Sequence, residues 1–149
     1  MKLSEGQVLT LARTARERSE RLDLRQCDLS GLGLFKADLS GADLRRADLT
    51  QVNLAKADLS GVDLSGATLF EAELLGARLV GANLSEANLV QATLKHADLK
   101  GANLQGARLE GADLSNAHLD GANLSRARYD GYTRWSINYD PEAAGALRD

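Results

Sequence analysis

Cysteine, proline and aromatic residues are almost missing from this 149-residue chain. The single cysteine, Cys27, excludes an internal disulfide and a cysteine-rich metal centre. Aromatic residues make up 4% of the chain, so its core must consist mainly of leucine and alanine. No apolar run approaches the roughly 18 residues of a transmembrane helix, and the charged N-terminus lacks the apolar stretch of a signal peptide. These absences predict a cytoplasmic protein with no membrane partner.

A strong charge of either sign is also lacking. The net charge is −3, and the first 60 residues contain ten Lys or Arg against nine Asp or Glu. A surface that binds a polyanion needs an excess of positive charge over an extended area. The balance of charge therefore argues against direct nucleic-acid binding.

What the chain does contain is a five-residue repeat. From Leu24 to Tyr129 every fifth residue is leucine except the last, and alanine usually stands two positions before it. The residue between them is Asp or Asn in 14 of the 22 repeats. In an α-helix a five-residue step rotates by about 140°, which would spread the leucines over every face. In extended backbone the alanine and the leucine share one face, and a turn after each leucine would return the next pair to it.

Glycines indicate where those turns lie, because 11 of the 22 repeats have glycine two positions after the leucine. A type II turn takes a positive φ at its second central residue, which favours glycine. Repeats with a different residue there predict a second turn type. Stacked coils of such segments would form parallel ladders about 4.8 Å apart, with leucine at the axis and polar side chains outside.

The repeat, as in the stretch ADLKGANLQG, resembles the Ala-(Asp/Asn)-Leu-x-x pattern of the pentapeptide-repeat family. The resemblance covers residues 22–131. It implies an all-β solenoid, a right-handed quadrilateral parallel β-helix with four pentapeptides in each coil. The 22 repeats would then form about 5.5 coils.

The N-terminal end, residues 1–21, is predicted to be a capping α-helix. Ser4 and Gln7 fit a capping box, and the apolar residues that follow are spaced as on one helix face. The apolar residues are Val8, Leu11, Ala12 and Ala15. This pattern predicts a helix over residues 4–20, laid across the exposed core of the first coil.

The C-terminal end, residues 132–149, is predicted to be an aromatic cap that follows the β-helix of residues 22–131. Four aromatic residues, one in the last repeat and three in this segment, include every Trp and Tyr of the chain: Tyr129, Tyr132, Trp135 and Tyr139. They either plug the last coil or join two rods as a homodimer. The segment also resembles the terminal motif of many cyanobacterial family members in its Tyr-Asp, Thr-x-Trp and Asp-Pro-x-x-Ala-Gly groups.

Residue types that could carry chemistry do not converge on one place. Asp23, Asp43 and Asp63 would stack in one column as a cation site or an acidic pair, but the same residue type recurs on every side of the coil. That recurrence favours hydrogen bonding to neighbouring backbone. His96 and His118 occupy different repeat positions and lack a third ligand. With no catalytic motif present, the sequence predicts no enzyme, no cofactor, no metal and no small-molecule substrate.

Two surface features depart from the repeat. Phe70, Leu75, Val80 and Val90 occupy the outward position after the leucine, which is otherwise mostly polar; they are either an interface for an unidentified protein partner or scattered exposure. The second feature is a basic group in the N-terminal half, which either contacts nucleic acid or forms local ion pairs. Its members are Arg13, Arg16, Arg21, Arg25, Arg45 and Arg46.

Together these features predict a non-enzymatic scaffold or protein–protein interaction module. The resemblance implies an alternative, because some pentapeptide-repeat proteins mimic B-form DNA and modulate DNA gyrase. Such mimicry requires a negative potential along the whole rod. It is often accompanied by loops that interrupt the repeat, and this chain has none.

Overall fold

One α-helix precedes the repeat in the computed structural model, which describes residues 1–149. Helix α1 spans Glu5–Glu17 and begins at the N-cap Ser4, whose side chain accepts from the Gln7 N–H while the Gln7 side chain accepts from the Ser4 N–H. These two bonds are the predicted capping box. The helix is shorter than the predicted 4–20 because Ser19 has a φ of +54°, which turns the chain toward the first coil.

Helix α1 packs on the repeat through one face. Val8, Ala12 and Ala15 are buried, whereas Leu11 is 41% exposed, so the expectation that Leu11 shares the buried face is wrong. Val8 and Ala12 belong to the same apolar core as the repeat leucines. The helix is neither long nor apolar enough to cross a membrane.

Beyond the helix the backbone winds into a coil with four sides. Parallel bridges join residues 20 apart, for example Asp43 to Asp63 and Asp63 to Asn83, so four pentapeptides complete one coil. The Leu64 N–H donates to the carbonyl of Asn83 at 2.7 Å, and the Asn83 N–H donates to the carbonyl of Val62 at 2.9 Å. The repeat is therefore a parallel β-helix whose ladders run along the rod axis.

Extended strands of two residues occur only at the end of the rod. Strand β1 is Arg128–Tyr129 and strand β2 is Leu147–Arg148; they are parallel, with Arg128 opposite Leu147. Elsewhere each side of a coil contributes one bridged residue between two turns.

The core is a column of leucine and alanine along the rod axis. Every repeat leucine from Leu24 to Leu124 is buried, with at most 8% of its surface exposed, at Leu119. Cys27 takes an alanine position in this column and is also buried. Burying one leucine side chain contributes about 1.5–3 kcal/mol, so this column is the main source of stability.

A single turn type serves the 21 repeats from Leu24 to Leu124. Each turn from Leu24–Cys27 to Leu124–Ala127 is closed by a hydrogen bond to the leucine carbonyl, as from the Ala102 N–H to Leu99 at 3.0 Å. The second central residue has a φ between +54° and +71°, whether it is glycine or not. Since the first central residue has no positive φ, this is the type II pattern, and the predicted second turn type is wrong.

The physical reason is the ladder on either side of each turn. From Gln26 to Gly106 the N–H of the second central residue donates to a carbonyl of the next coil, as from Lys56 to the Leu75 carbonyl at 2.8 Å and from Gly61 to the Val80 carbonyl at 2.9 Å. The stacked coils therefore impose one backbone path on all repeats. A left-handed conformation costs a residue such as Lys56 about 1–2 kcal/mol, which burial of the adjacent leucine offsets.

The winding continues past both ends of the regular repeat. At the N-terminus, Lys2 bridges to Asp28, and the buried Leu3 donates its N–H to the Asp28 carbonyl at 3.2 Å. At the C-terminus, Arg134 bridges to Asp113 across 21 residues instead of 20. Residues 132–149 thus follow the path of a further, less regular coil, which ends with β2 paired to β1.

Candidate interaction surfaces

The aspartate and asparagine side chains of the repeat bond to their own backbone. In each case the side-chain Oδ1 accepts from the N–H two positions on, as Asp63 does from Ser65 at 3.0 Å and Asn83 from Ser85 at 3.1 Å. All 14 make this bond: Asp23, Asp28, Asp38, Asp43, Asp48, Asn53, Asp58, Asp63, Asn83, Asn88, Asp98, Asn103, Asp113 and Asn123.

In the coils over residues 42–106, the N–H that donates this bond is the only one of its repeat that has no backbone carbonyl as acceptor. The short polar side chain therefore satisfies a donor that the ladder leaves free. This accounts for the recurrence of Asp and Asn on every side of the coil. No group of three or more His, Cys, Asp or Glu side chains is arranged to hold a metal ion.

Arginine and aspartate alternate along one edge at the N-terminal half of the rod. The Arg25 guanidinium donates to Asp23 at 2.9 and 2.7 Å, and that of Arg45 donates to Asp43 at 2.8 and 2.6 Å. The bonds from Arg25 hold the pKa of Asp23 at about 2. Bonds from Arg45 likewise lower the pKa of Asp43, the one buried acidic residue.

The basic residues of helix α1 are paired as well. Arg16 lies 3.0 Å from Asp38, and Arg13 lies 3.9 Å from Glu17. Arg46 has no ion pair. Most of the basic group is therefore engaged by local carboxylates, which is the second of the two interpretations given above.

The four outward apolar residues lie on three different edges of the rod. Phe70 and Val90 stack on one edge, because the Glu71 N–H donates to the Val90 carbonyl at 3.0 Å. Leu75 and Val80 follow on the next two edges, and they are 36% and 37% exposed. Phe70 and Val90 are half-buried.

Leu75 does not stack with Phe70 or Val80, the residues with which the sequence analysis grouped it. The Lys36 N–H donates to the Ala55 carbonyl at 3.0 Å, and the Lys56 N–H donates to the Leu75 carbonyl at 2.8 Å. These bonds stack the outward residues Phe35, Ala55 and Leu75 on successive coils. We call this set, with the adjacent turn lysines Lys36 and Lys56, the Phe35 edge.

Sequence reasoning missed Phe35, which is 52% exposed. The signal that could have found it is the 20-residue register. Three apolar residues follow leucine at positions 35, 55 and 75, where other columns are mostly polar.

The aromatic residues of the C-terminal segment form a cluster of three. The Trp135 ring meets Tyr129 edge-on at 5.5 Å and stacks on Tyr139 at 5.3 Å. The Tyr129 hydroxyl donates to Glu142 at 3.1 Å, and burial together with this carboxylate raises the pKa of Tyr129. Tyr132 stands apart and is 83% exposed.

The histidines do not come together. His118 bridges to Asp98 on one side of the coil, whereas His96 is the second central residue of a turn, with a φ of +60°. Both are exposed.

A family model described as pentapeptide repeats matches the chain in eight copies, over residues 34–69, 47–85, 63–101, 77–116 and 97–128. No curated protein matches the chain. The structure of the pentapeptide-repeat protein Rfr23 from the cyanobacterium Cyanothece 51142 is similar, with 31% identity and a TM-score of 0.76. The match covers 85% of this chain and 99% of that one.

Two further solved structures show weaker structural agreement. The pentapeptide-repeat protein alr5209 from Nostoc PCC 7120 is 31% identical, and the match covers 95% of both chains with a TM-score of 0.39. QnrB1, a plasmid-mediated fluoroquinolone resistance protein, is 17% identical over 87% of this chain and 80% of its own, with a TM-score of 0.42.

Proposed function

This chain belongs to the pentapeptide-repeat family, and from that premise we propose that it is a non-enzymatic scaffold that binds another protein through the edges of its rod. The observation that supports this proposal most directly is that the regular residues of the repeat are already engaged within the rod. Leucine and alanine are buried, and all the repeat Asp and Asn side chains bond to local backbone. The side chains left to meet a partner are those that depart from the repeat.

The departures that favour a protein partner are apolar. Phe70, Leu75, Val80 and Val90 replace the Ser, Thr or charged residues found at equivalent positions, and the structure adds Phe35. Exposed apolar side chains on a rigid surface are a common feature of protein interfaces. Because hydrogen bonds tie each coil to the next, the rod would present these groups at fixed spacing.

Both ends of the chain are proposed to act as caps of a right-handed quadrilateral β-helix with about 5.5 regular coils. The proposed units are residues 1–21, 22–131 and 132–149. Support comes from Val8 of helix α1, which has none of its surface exposed, and from Trp135, which packs against the same core. Tyr132 is the aromatic residue left for contact between two rods. The mass of the protein in solution tests this homodimer contact.

Affinity capture from an extract of the encoding organism tests the interaction proposal. The Phe70→Asp, Val90→Asp variant is compared with wild type and with a matched control, Ser65→Asp, Ser85→Asp, which alters the same repeat position of the same two coils on another edge. We expect the first variant to lose a partner that wild type and control retain, with unchanged far-UV circular dichroism. Equal capture by all three proteins would exclude Phe70 and Val90 from the interface.

The gyrase-modulator alternative has less support. A DNA mimic needs continuous negative potential, whereas Arg25 and Arg45 alternate with aspartates along one edge of this rod. The resemblance to QnrB1 extends to the fold alone. A supercoiling assay tests this alternative, which fails if micromolar protein changes neither gyrase activity nor its sensitivity to poisons.

A further inference from the structure

We propose that the Phe35 edge is a docking site for an acidic amphipathic α-helix of a partner protein, lying parallel to the rod axis. This inference rests on the proposed function and names the class of partner. It follows from the shape, the spacing and the charge of that edge.

The apolar part of the edge has a small residue between two large ones. Phe35 is 52% exposed and Leu75 is 36% exposed, whereas Ala55, on the coil between them, is only 7% exposed. Ala55 thus forms the floor of a notch between two projecting side chains. A side chain of a partner helix would fill this notch as a knob fills a hole.

Helix α1 extends the same edge at the N-terminal end. Its Glu5 carboxylate lies next to Gly33, and its Arg16 lies 3.0 Å from Asp38, so the helix passes beneath the edge between those two residues. Leu9 lies on the same helix face as Glu5 and Arg16, four residues after the first and seven before the second. It is 41% exposed, so the helix also has an apolar side chain on this face.

The spacing of these levels suits a helix better than a strand. Successive coils are about 4.8 Å apart, and an α-helix advances about 5.4 Å per turn. The mismatch is about 0.6 Å per level, or about 1.2 Å over the two steps from Phe35 to Leu75. A strand repeats each face every 6.6–6.8 Å, so it would lose register after one step. A helix with one apolar residue per turn can therefore contact every level.

The charge of the edge selects an acidic partner. Lys36 and Lys56 on adjacent coils, and Lys95 above Leu75, form no ion pair within the chain. The nearest aspartates of the neighbouring face are already engaged, Asp38 by Arg16 and Asp58 by Arg78. The Lys36 ammonium lies over the Phe35 ring, 5.2 Å from its centroid, and so stands beside the apolar residues of the edge. Glutamates that flank the apolar stripe of a partner helix would therefore meet ammonium groups that have no carboxylate partner in the chain.

Two other occupants fit less well. The single helix of a second copy carries Arg13 and Arg16 and would bring positive charge to a positive edge. An anionic membrane is wider than the edge, and it would also meet Glu73, a carboxylate of an adjoining face that forms no ion pair. The narrow basic and apolar stripe therefore favours one acidic helix over either alternative.

The test uses a synthetic 18-residue probe peptide, fluorescein-labelled and capped at both ends, with one leucine per helical turn and glutamate on both flanks. A second peptide has lysine in place of every glutamate. Fluorescence anisotropy with the full-length protein at low salt gives the dissociation constants. We expect the acidic peptide to bind wild type and the basic peptide to bind at least about tenfold more weakly.

Three variants locate the contact. Leu75→Asp should weaken binding of the acidic peptide at least about tenfold, whereas Val80→Asp, an equally exposed apolar residue on the next edge, should leave it within about twofold. Lys36→Glu with Lys56→Glu should weaken the acidic peptide and strengthen the basic one. Thermal melts confirm that each variant is folded, and Leu75→Ser replaces Leu75→Asp if the latter is not.

The proposal is overturned if wild type does not bind the acidic peptide, if Leu75→Asp and Val80→Asp behave alike, or if charge reversal leaves peptide preference unchanged. Stronger binding to phosphatidylserine vesicles than to the peptide would also overturn it, in favour of a membrane. If the peptide fails while Phe70 and Val90 still govern capture from extract, the docking proposal falls and the scaffold function stands.

Discussion

Replacing Gly61 by alanine is expected to lower the free energy of unfolding by about 1 kcal/mol, because alanine disfavours the left-handed backbone of the turn. Gly61 has a φ of +64°, and a Cβ added there would meet nothing within 4 Å. The left-handed backbone costs an alanine about 1–2 kcal/mol. The reduced entropy of the unfolded chain returns about 0.4–1 kcal/mol of this. The net effect is a loss of about 1 kcal/mol with no steric contribution.

Lys56 provides the matched control, because it occupies the same turn position with a φ of +57° and already has a Cβ. Lys56→Ala should change the free energy of unfolding by no more than about 0.5 kcal/mol. Lys56→Gly should have the opposite sign to Gly61→Ala and stabilise the protein by up to about 1 kcal/mol.

Guanidinium unfolding at 25 °C, followed by far-UV circular dichroism, measures all three changes. Equal destabilisation by Gly61→Ala and Lys56→Ala would refute the single turn type, as would a loss of stability in Lys56→Gly. Either result would mean that the backbone at these two positions differs.

Three further predictions concern the carboxylates, the core and the C-terminal segment. Acidification should destabilise the protein, because hydrogen bonds from side chains two positions on hold the pKa of Asp23 and of Asp28 at about 2, below the ordinary 3.8. This stabilisation is complete above about pH 4 and is lost as the pH falls through about 2, so a melting temperature that stayed constant from pH 5 to pH 2 would contradict it. Leu74→Ala, at a fully buried position, should cost about 2–5 kcal/mol in denaturant unfolding, whereas Leu75→Ala should cost less than about 1 kcal/mol; similar losses would mean that Leu75 is packed in the core. Trp135→Leu removes two aromatic contacts and should lower the free energy of unfolding by about 1–3 kcal/mol, and an unchanged value would show that the aromatic cluster adds no stability.

The burial pattern could be predicted because each repeat has the same local environment. A leucine such as Leu64 and the aspartate before it, Asp63, differ in polarity and alternate in direction, so the period alone assigns one inward and one outward. The capping box at Ser4 was equally local, since it depends on a side chain three residues away. Such features need no knowledge of the tertiary structure.

The turn type and the edges could not be predicted in the same way. A lysine at position 56 has a local preference against positive φ, and only hydrogen bonds to the next coil override it. Similarly, Leu75 is five residues from Phe70 along the chain but stacks with Ala55 and Phe35, 20 and 40 residues away. The sequence analysis grouped outward apolar residues that are close along the chain. Which of them lie side by side on the surface depends instead on the 20-residue register between coils.

The C-terminal segment departs from the repeat for a third reason. Its extra residue, which shifts Arg134 to a 21-residue bridge with Asp113, leaves no mark in the periodicity that precedes it. The aromatic cluster of Tyr129, Trp135 and Tyr139 was predicted as a group because these residue types are absent from the rest of the chain. The separation of Tyr132 from that cluster depends on the path of the backbone.

The central claim is that residues obeying the repeat build the rod, while its departures bind a partner. The most direct test replaces the five outward apolar residues, Phe35, Phe70, Leu75, Val80 and Val90, by serine, the residue common at their repeat position. We predict a protein with unchanged far-UV circular dichroism and melting temperature that no longer captures the partner bound by wild type. Capture of the same partner in the same amount by this folded variant would contradict the claim.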